Sequence, residues 1–315
     1  GQEVRRCRLI SEAQAALRKS GIGASEIAAV CGVDPYRSAL DVWLVKTGRK
    51  PGFAGNAKTR QGQALEGPVL DMYHEDTGHV FYRPNHGAPA DSADAGFHRA
   101  ENGIQLCNLD AWDENSVIEV KVSDAVGWGI DGTDEIPDSY ALQVQQQMFC
   151  ARRETATVVR YSTEQDRLYV YHVHADSVLQ QDMEAQALAF WQFVHTDTPP
   201  PSDDGKGLGL AFGVRPDSEV VISESLAREY HEAKEAEKAA ELRKSKALAE
   251  IEKAMGGAER AKAGAFRIKR TLVAGRESVS MDALREKYPE VWKALAFRSA
   301  SFPRMTVTAP KEGKQ

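Results

Sequence analysis

Residues 106–121 read Leu-Cys-Asn-Leu-Asp-Ala-Trp-Asp-Glu-Asn-Ser-Val-Ile-Glu-Val-Lys. Two short apolar runs, over 104–112 and 117–122, flank the polar cluster Asp113-Glu114-Asn115-Ser116. Such a cluster between β-prone runs marks a hairpin turn. With those four residues as the loop, Trp112 faces Val117 and Asp110 stands opposite Glu119. Side chains alternate along a strand, so Lys121 shares the face of Glu119. Two carboxylates and one ammonium then project from one patch of sheet. Like charges directly opposite on paired strands oppose the pairing. A hard divalent cation with oxygen ligands resolves that conflict. A lysine beside it can stabilise developing negative charge or activate a water. A surface hairpin with scattered charges has the same spacing, so this stretch alone leaves both readings open.

The chain has 315 residues, enough for one large domain or two smaller ones. With 42% hydrophobic and 27% charged residues, it has the makings of an ordinary soluble core. No apolar run approaches a membrane span and no leader-like start is evident, so a cytoplasmic setting without membrane partners is expected. Cys7, Cys31, Cys107 and Cys150 are widely spaced and form no CxxC pair. That argues against a zinc ribbon, an iron–sulfur cluster or a disulfide framework, and predicts reduced, mostly buried thiols. The net charge of −6 is the wrong sign for a nonspecific nucleic-acid coat. Local charge and a bound cation nevertheless govern contact with phosphate. The first twenty residues are locally basic, with Arg5, Arg6, Arg8, Arg18 and Lys19 against Glu3 and Glu12.

In chain order, residues 10–19 predict a short amphipathic helix. In Gly21-Ile22-Gly23-Ala24-Ser25-Glu26, the Ser25 hydroxyl is placed to cap a helix start. The glycines also allow a phosphate to approach that helix end, with Ser25 and Arg18 as ligands, and the two roles are compatible. Helices are expected over 39–47 and 58–77. In the second, Leu65, Val69, Met72 and Tyr73 make the buried face. Glu66 lies beside that face, as a solvated glutamate or as a third acidic residue of a metal site. A strand over 79–83 and a loop-rich connection over 84–103 follow.

A helix over 138–152 carries an apolar stripe of Ala141, Val144, Met148 and Ala151. Tyr140, Gln143 and Gln147 fall on a neighbouring stripe, and Gln145 and Gln146 elsewhere. Glutamine both donates and accepts, which suits a reacting site. Position alone assigns most of these glutamines to the surface. Strands over 155–161 and 167–174 put His172 and His174 on one face, where they could ligate a metal, although two histidines with no third ligand nearby are more often ordinary strand residues. A helix over 176–194 closes the unit.

Pro199-Pro200-Pro201 and the Gly-rich 203–213 stretch mark a boundary. The expected organisation is a domain over 1–198, a linker over 199–218 and a C-terminal accessory region over 219–315. Residues 223–255, rich in Ala, Glu and Lys, predict a long solvated helix with a thin apolar seam. A strand over 266–273, a helix over 281–297 broken near Pro289, and a strand over 304–308 complete the chain.

Six elements occur in order: Gly-Ile-Gly-Ala-Ser-Glu; Asp-Pro-Tyr with a later Lys-Thr-Gly; Gly-Gln-Ala-Leu-Glu; Asn-Leu-Asp-Ala-Trp; Ile-Glu-Val-Lys; and Tyr-Ala-Leu-Gln-Val-Gln-Gln-Gln-Met. Together they resemble the YqaJ-type viral recombinases, relatives of phage lambda exonuclease within the PD-(D/E)xK nuclease superfamily. The resemblance covers roughly residues 10–195. It implies an α/β (α+β) fold with a restriction-endonuclease-like central mixed β-sheet flanked by helices. The region beyond would be a smaller C-terminal α/β region with a long charged helix.

The resemblance also implies Mg²⁺-dependent digestion of linear duplex DNA from 5′ ends, with Mn²⁺ able to substitute. Double-stranded DNA ends and a single-strand annealing protein are the implied partners, and a homo-oligomer, a trimer in the lambda enzyme, the implied assembly. Asp110 and Glu119 match the metal-binding acids, with the Val120 carbonyl as a further ligand. Lys121 matches the catalytic lysine, Gln143 the first glutamine of the Tyr-x-x-Gln-x-Gln motif, and Glu66 the helix glutamate beside the metals. Arg18 and Ser25 match positions that receive the 5′-phosphate. Leu109 stands where the family often has proline. An endonuclease or nickase, a non-catalytic DNA-binding scaffold and an adaptor built around the 223–255 helix are the rival readings.

Overall fold

The computed structural model describes residues 12–53, 55–85, 87–202, 207–213, 216–272 and 280–295. Cys7, the basic residues ahead of Glu12 and the strand expected at 304–308 lie outside them. The chain divides into two compact units, Gly1–Gly213 and Val214–Gln315.

The first unit opens with α1 (Glu12–Lys19), β1 (Ile22–Gly23), α2 (Ala24–Val30) and α3 (Ala39–Lys46). At α3, Ser38 accepts the Asp41 N–H while Asp41 accepts the Ser38 N–H, a reciprocal cap. At α2 the cap position is Gly23, whose N–H reaches the Glu26 carboxylate at 2.8 Å. The expectation that Ser25 caps this helix is therefore corrected. A cap residue needs extended backbone, which Gly23 has, whereas Ser25 already lies within the first turn.

Helix α4 (Ala57–Thr77) starts at Asn56, which accepts the Thr59 N–H, and stops at Gly78 in the left-handed conformation. It buries Val69, Leu70 and Tyr73. The strand expected over 79–83 reduces to a single bridge between Tyr82 and Trp112. The facing strand is only two residues long there and offers little more to pair. The 84–103 connection holds a 3₁₀ turn (Ala93–Ala95) and a short strand, β2 (Phe97–Arg99), which was not anticipated.

Strands β3 (Gln105–Asn108), β4 (Ala111–Trp112), β5 (Ser116–Val122), β6 (Thr155–Ser162) and β7 (Arg167–His174) complete two mixed sheets. Their orders are β1-β3-β2 and β4-β5-β6-β7. β1 runs parallel to β3, and β5 runs parallel to β6. The remaining pairs are antiparallel. A parallel β5–β6 pair requires a crossover, and α5 (Asp138–Ala151) supplies it. Helix α6 (Ser177–His195) follows, capped by Asp176 through the Val178 and Leu179 N–H groups. A short α7 (Leu208–Phe212) places Ala211 in the cluster built on Leu40, Trp43 and Leu44 of α3. Trp43 donates to the Phe193 carbonyl at 2.9 Å, fixing α3 to α6.

The two faces of β5 are used differently. Ile118 and Val120 pack with Val69, Leu70 and Tyr73 of α4. Val117, on the other face, packs with Val144 and Met148 of α5. Fully burying aliphatic side chains of this size contributes roughly 1.5–3 kcal/mol each. The sheet is thus clamped between helices, a mixed α/β architecture that leaves Glu119 and Lys121 directed at α5.

The second unit contains α8 (Glu224–Met255), the hairpin β8 (Arg260–Ala263) and β9 (Phe266–Lys269), α9 (Met281–Lys287) and α10 (Pro289–Leu295). β8 was not foreseen. No helix among the described residues is long and apolar enough to cross a membrane.

Candidate active site

The hairpin register is the one the polar cluster dictates: Ala111 pairs with Ile118 and Trp112 with Val117. Asp113 fixes the turn by accepting the Asn115 N–H at 2.8 Å and the Ser116 N–H at 2.7 Å. Burial works against its charge, but those N–H groups and the His79 ring outweigh it and hold the carboxyl below the ordinary range. One step before β4, ladder pairing stops at Leu109 and Asp110. The Asp110 carboxylate instead accepts the Val120 N–H at 2.9 Å. Leu109 donates its own N–H to the Gly96 carbonyl at 2.9 Å, a bond that proline in that place has no hydrogen to make.

Glu119 is buried, and each of its oxygens is held by α5. Gln143 donates to Oε1 at 2.6 Å, and Gln147 donates to Oε2. Those two glutamines lie one helical turn apart, so they reach the carboxylate from the same stripe. Lys121 donates to Glu119 Oε1 and, at 3.1 Å, to Gln143 Oε1. Its ammonium also sits 4.8 Å from the centre of the Tyr140 ring. Tyr140, Gln143 and Gln147 thus form one wall, a stripe visible in the sequence although only Gln143 was singled out.

Glu119 is in contact with the Lys121 ammonium, and the charges of Asp110 and Glu66 are felt in the same place. Burial first, then the charges of Glu119 and Glu66, push the Asp110 carboxyl well above its ordinary range. Burial and Glu119 likewise raise Glu66, with Lys121 acting against them. For Lys121, burial disfavours the charge, but Glu119 and Asp110 outweigh it and hold the ammonium above its usual value. The α4 glutamate is therefore part of this electrostatic cluster.

Among the described residues no three carboxylate, imidazole or thiol groups already close into a coordination cage. The donor chemistry nevertheless suits a hard cation. All candidate ligands are oxygens, and with all three acids ionised two negative charges are uncompensated. Among the described residues the buried Gln147 Oε1 atom has no hydrogen-bond partner, so it is a further neutral oxygen of the kind such a cation takes.

Arg18 and Ser25 meet a different set of groups. Lys46, almost fully buried, donates to the Arg18 carbonyl and to Glu26. Burial lowers Lys46, Glu26 counteracts this, and the nearby Arg18 and Arg37 charges add to the lowering. Arg37 also donates to the Ser25 carbonyl. Arg18, Arg37 and Lys46 thus form a cationic cluster with two acids, Glu26 against Lys46 and Asp34 against Arg37 at 2.9 Å, and the exposed Ser25 lies on its edge. Arg37 and Lys46 were missed. In the sequence Lys46 stands out only as part of Lys-Thr-Gly, and nothing local marks it as buried.

The assignment of most helix glutamines to the surface is corrected, since Gln145, Gln146 and Gln147 are buried. Gln146 donates to the carbonyls of Ile22 at 2.8 Å and Leu106 at 3.0 Å and accepts from Gln105. Gln145 donates to the His174 carbonyl and accepts the Asp176 N–H. Each thereby satisfies backbone groups from neighbouring elements. His172 and His174 are exposed and line a cleft of about 890 Å³ at the turn end of the hairpin, with His79 and Asp113. Cys107 and Cys150 are buried free thiols. Burial raises Cys107 well above the ordinary thiol range and Cys31 to about 11.

Residues 15–154 match the model of the YqaJ-like viral recombinase domain. The chain is 27% identical over 131 residues to the uncharacterized protein YqaJ of Bacillus subtilis (strain 168). That alignment covers 41% of this chain and 38% of the relative, so the match spans little more than a third of the relative's length. Two solved structures are similar in part. The alkaline exonuclease LHK-Exo from Laribacter hongkongensis is 17% identical, with a TM-score of 0.47 over 59% of this chain and 94% of that one. The phage related exonuclease from Haemophilus somnus 129PT is 13% identical, with a TM-score of 0.45 over 58% and 96%.

Proposed function

Taking residues 15–154 as a YqaJ-like viral recombinase domain, we propose that the chain is a Mg²⁺-dependent exonuclease. It digests linear double-stranded DNA in the 5′→3′ direction and leaves 3′ single strands for homologous recombination, acting in the cytoplasm. The observation that carries this reading is the cluster of Glu66, Asp110 and Glu119 around the single ammonium of Lys121. Mn²⁺ is expected to substitute for Mg²⁺, and a single-strand annealing protein to take up the product strand.

Glu66, Asp110 and Glu119, with the Val120 carbonyl, would hold the cation, which when bound polarises the scissile phosphate and lowers the pKa of a bound water. The chain's own groups then divide the remaining work. Gln143 and Gln147 fix the rotamer of Glu119, so its oxygens need not reorganise during reaction. Lys121, kept charged by the acids, stabilises the negative charge that develops on the phosphoryl oxygens and orients the attacking water. Gln143 accepts from Lys121 and donates to Glu119, holding both at one separation. Arg18 and Ser25, beside Arg37 and Lys46, would receive the terminal 5′-phosphate and set the polarity of digestion.

The test is a time course on linear duplexes carrying phosphorylated or unphosphorylated 5′ ends, with and without Mg²⁺, beside a closed circular duplex. Loss of nucleotides from phosphorylated 5′ ends only with Mg²⁺ supports the reading. Cutting the circle as readily as the linear duplex would instead identify an endonuclease or nickase. Absence of any Mg²⁺-dependent product would favour a non-catalytic DNA-binding scaffold.

A further inference from the structure

The β8–β9 hairpin of the second unit has an unusual distribution of charge. Its register pairs Arg260 with Lys269 and Lys262 with Arg267. Directly paired residues project to the same face, so four cations share one side of a two-stranded ribbon. The other side is Ala261, Ile268, Ala263 and Phe266. All four cations are exposed. Both charged pairs set like charges opposite each other, which opposes strand pairing.

Local acids do little to relieve this. Glu259 lies 3.9 Å from Arg260, at the limit of an ion pair. Among the described residues neither Lys262 nor Lys269 has a carboxylate partner. Among the described residues Arg267 donates only to the Gly264 and Phe266 carbonyls of its own turn. Arg270, just past β9, is already used at the base of the ribbon, where it donates to the carbonyls of Gly256 and Glu252. Residues 256–272 thus carry five cations and one acid, in a chain whose net charge is −6. Gly264, with φ of 58°, opens a two-residue turn that holds the ribbon in register.

We propose that this ribbon is a second DNA-binding element, in which Arg260, Lys262, Arg267 and Lys269 contact the phosphate backbone of duplex DNA without reading sequence. A row of phosphates supplies the negative charge that the cross-strand pairs lack, and an exposed two-stranded ribbon is narrow enough to enter the major groove. The choice of DNA as the polyanion rests on the nuclease reading of the first unit. The ribbon would hold the substrate independently of its end, adding an electrostatic grip outside the reacting centre.

The experiment measures binding of the full chain to a fluorescein-labelled 30-base-pair duplex in EDTA, across a salt series. For Lys262→Gln with Arg267→Gln, the slope of log affinity against log salt should fall in magnitude by about 2, about one per lost phosphate contact. The charge-keeping pair Lys262→Arg with Arg267→Lys should retain the wild-type slope. The glutamine pair removes facing like charges, so its thermal unfolding should be unchanged or raised, which separates lost contact from lost fold. An unchanged slope in the glutamine pair overturns the proposal. So does an intact DNA slope combined with lost binding to poly-L-glutamate, which would point to an acidic protein instead. Mg²⁺-dependent cleavage of a linear duplex by the wild-type chain is followed alongside. Cleavage with an unchanged slope rejects the ribbon alone, whereas a reduced slope without cleavage rejects the nuclease reading alone.

Discussion

Replacing Asp110 by asparagine should make the protein more stable while abolishing its activity. The Asp110 carboxylate faces the charges of Glu119 and Glu66, with Lys121 as its compensation, and burial strengthens the conflict. Asparagine removes the charge but keeps an oxygen to accept the Val120 N–H, so the local hydrogen bond survives. Relieving strain of this kind at an active site typically gains about 1–2 kcal/mol. For a unit of this size each kcal/mol shifts the melting temperature by about 2–4 °C, so a rise of about 2–8 °C is expected in EDTA.

The pH dependence has a definite sign. Because the folded-state pKa of Asp110 is raised, its favourable contribution is complete below the ordinary aspartate value. It is lost as pH climbs through the folded-state value, above which the carboxylate is a standing cost. The advantage of Asp110→Asn should therefore be largest at neutral and alkaline pH and shrink toward acid. Added Mg²⁺ should reverse the order. At 100 times its dissociation constant a ligand stabilises by about 2.7 kcal/mol, and the asparagine variant should gain much less. Differential scanning calorimetry with EDTA and with Mg²⁺ reads both effects. A lower melting temperature for Asp110→Asn in EDTA, or an equal Mg²⁺ gain in both proteins, would refute the reasoning.

Other substitutions probe the supports of the site. Gln147→Leu should reduce turnover about 10–100-fold with DNA affinity unchanged, because it frees one oxygen of Glu119; single-turnover kinetics beside equilibrium binding will separate the two. Gln146→Leu leaves the Ile22 and Leu106 carbonyls and the Gln105 amide without this partner. It should cost about 2–4 kcal/mol in urea unfolding, and a loss below 1 kcal/mol would contradict the account of that glutamine. Gly96 has φ of 79°, and a Cβ there would stand 2.9 Å from the Leu109 carbonyl oxygen. Gly96→Ala should therefore cost about 1–3 kcal/mol, visible as a lower melting temperature.

How far the sequence revealed this architecture depended on whether local chemistry settled the question. The register of Ala111 and Trp112 against Ile118 and Val117 was legible because Asp113 to Ser116 define the turn, and the period of two then puts Glu119 and Lys121 on one face; the ladder ends before Asp110, which instead accepts the Val120 N–H. Long helices such as α4 and α8 were legible from their periodicity and stop residues. The glutamines of α5 were not. A helical stripe says which residues share a face, but not that a helix is enclosed on several sides. Here β1 and β3 claim Gln146, β7 and α6 claim Gln145, and β5 claims Gln147. Short strands escaped for a related reason. Phe97–Arg99 and Arg260–Ala263 acquire strand geometry from their partners, and Arg-Ala-Lys-Ala has little β-propensity of its own. The burial of Lys46 beside Arg18 is likewise a tertiary fact, made by the packing of α1, α2 and α3.

The most direct measurement is single-turnover hydrolysis of a linear duplex by the wild-type chain, Glu119→Ala and Lys121→Ala in Mg²⁺, with DNA affinity followed in parallel. Both variants should lose at least about 10²–10⁴-fold in rate while retaining most of their affinity. Wild-type turnover in either variant would contradict the claim that the acids and the ammonium on the hairpin form the reacting centre.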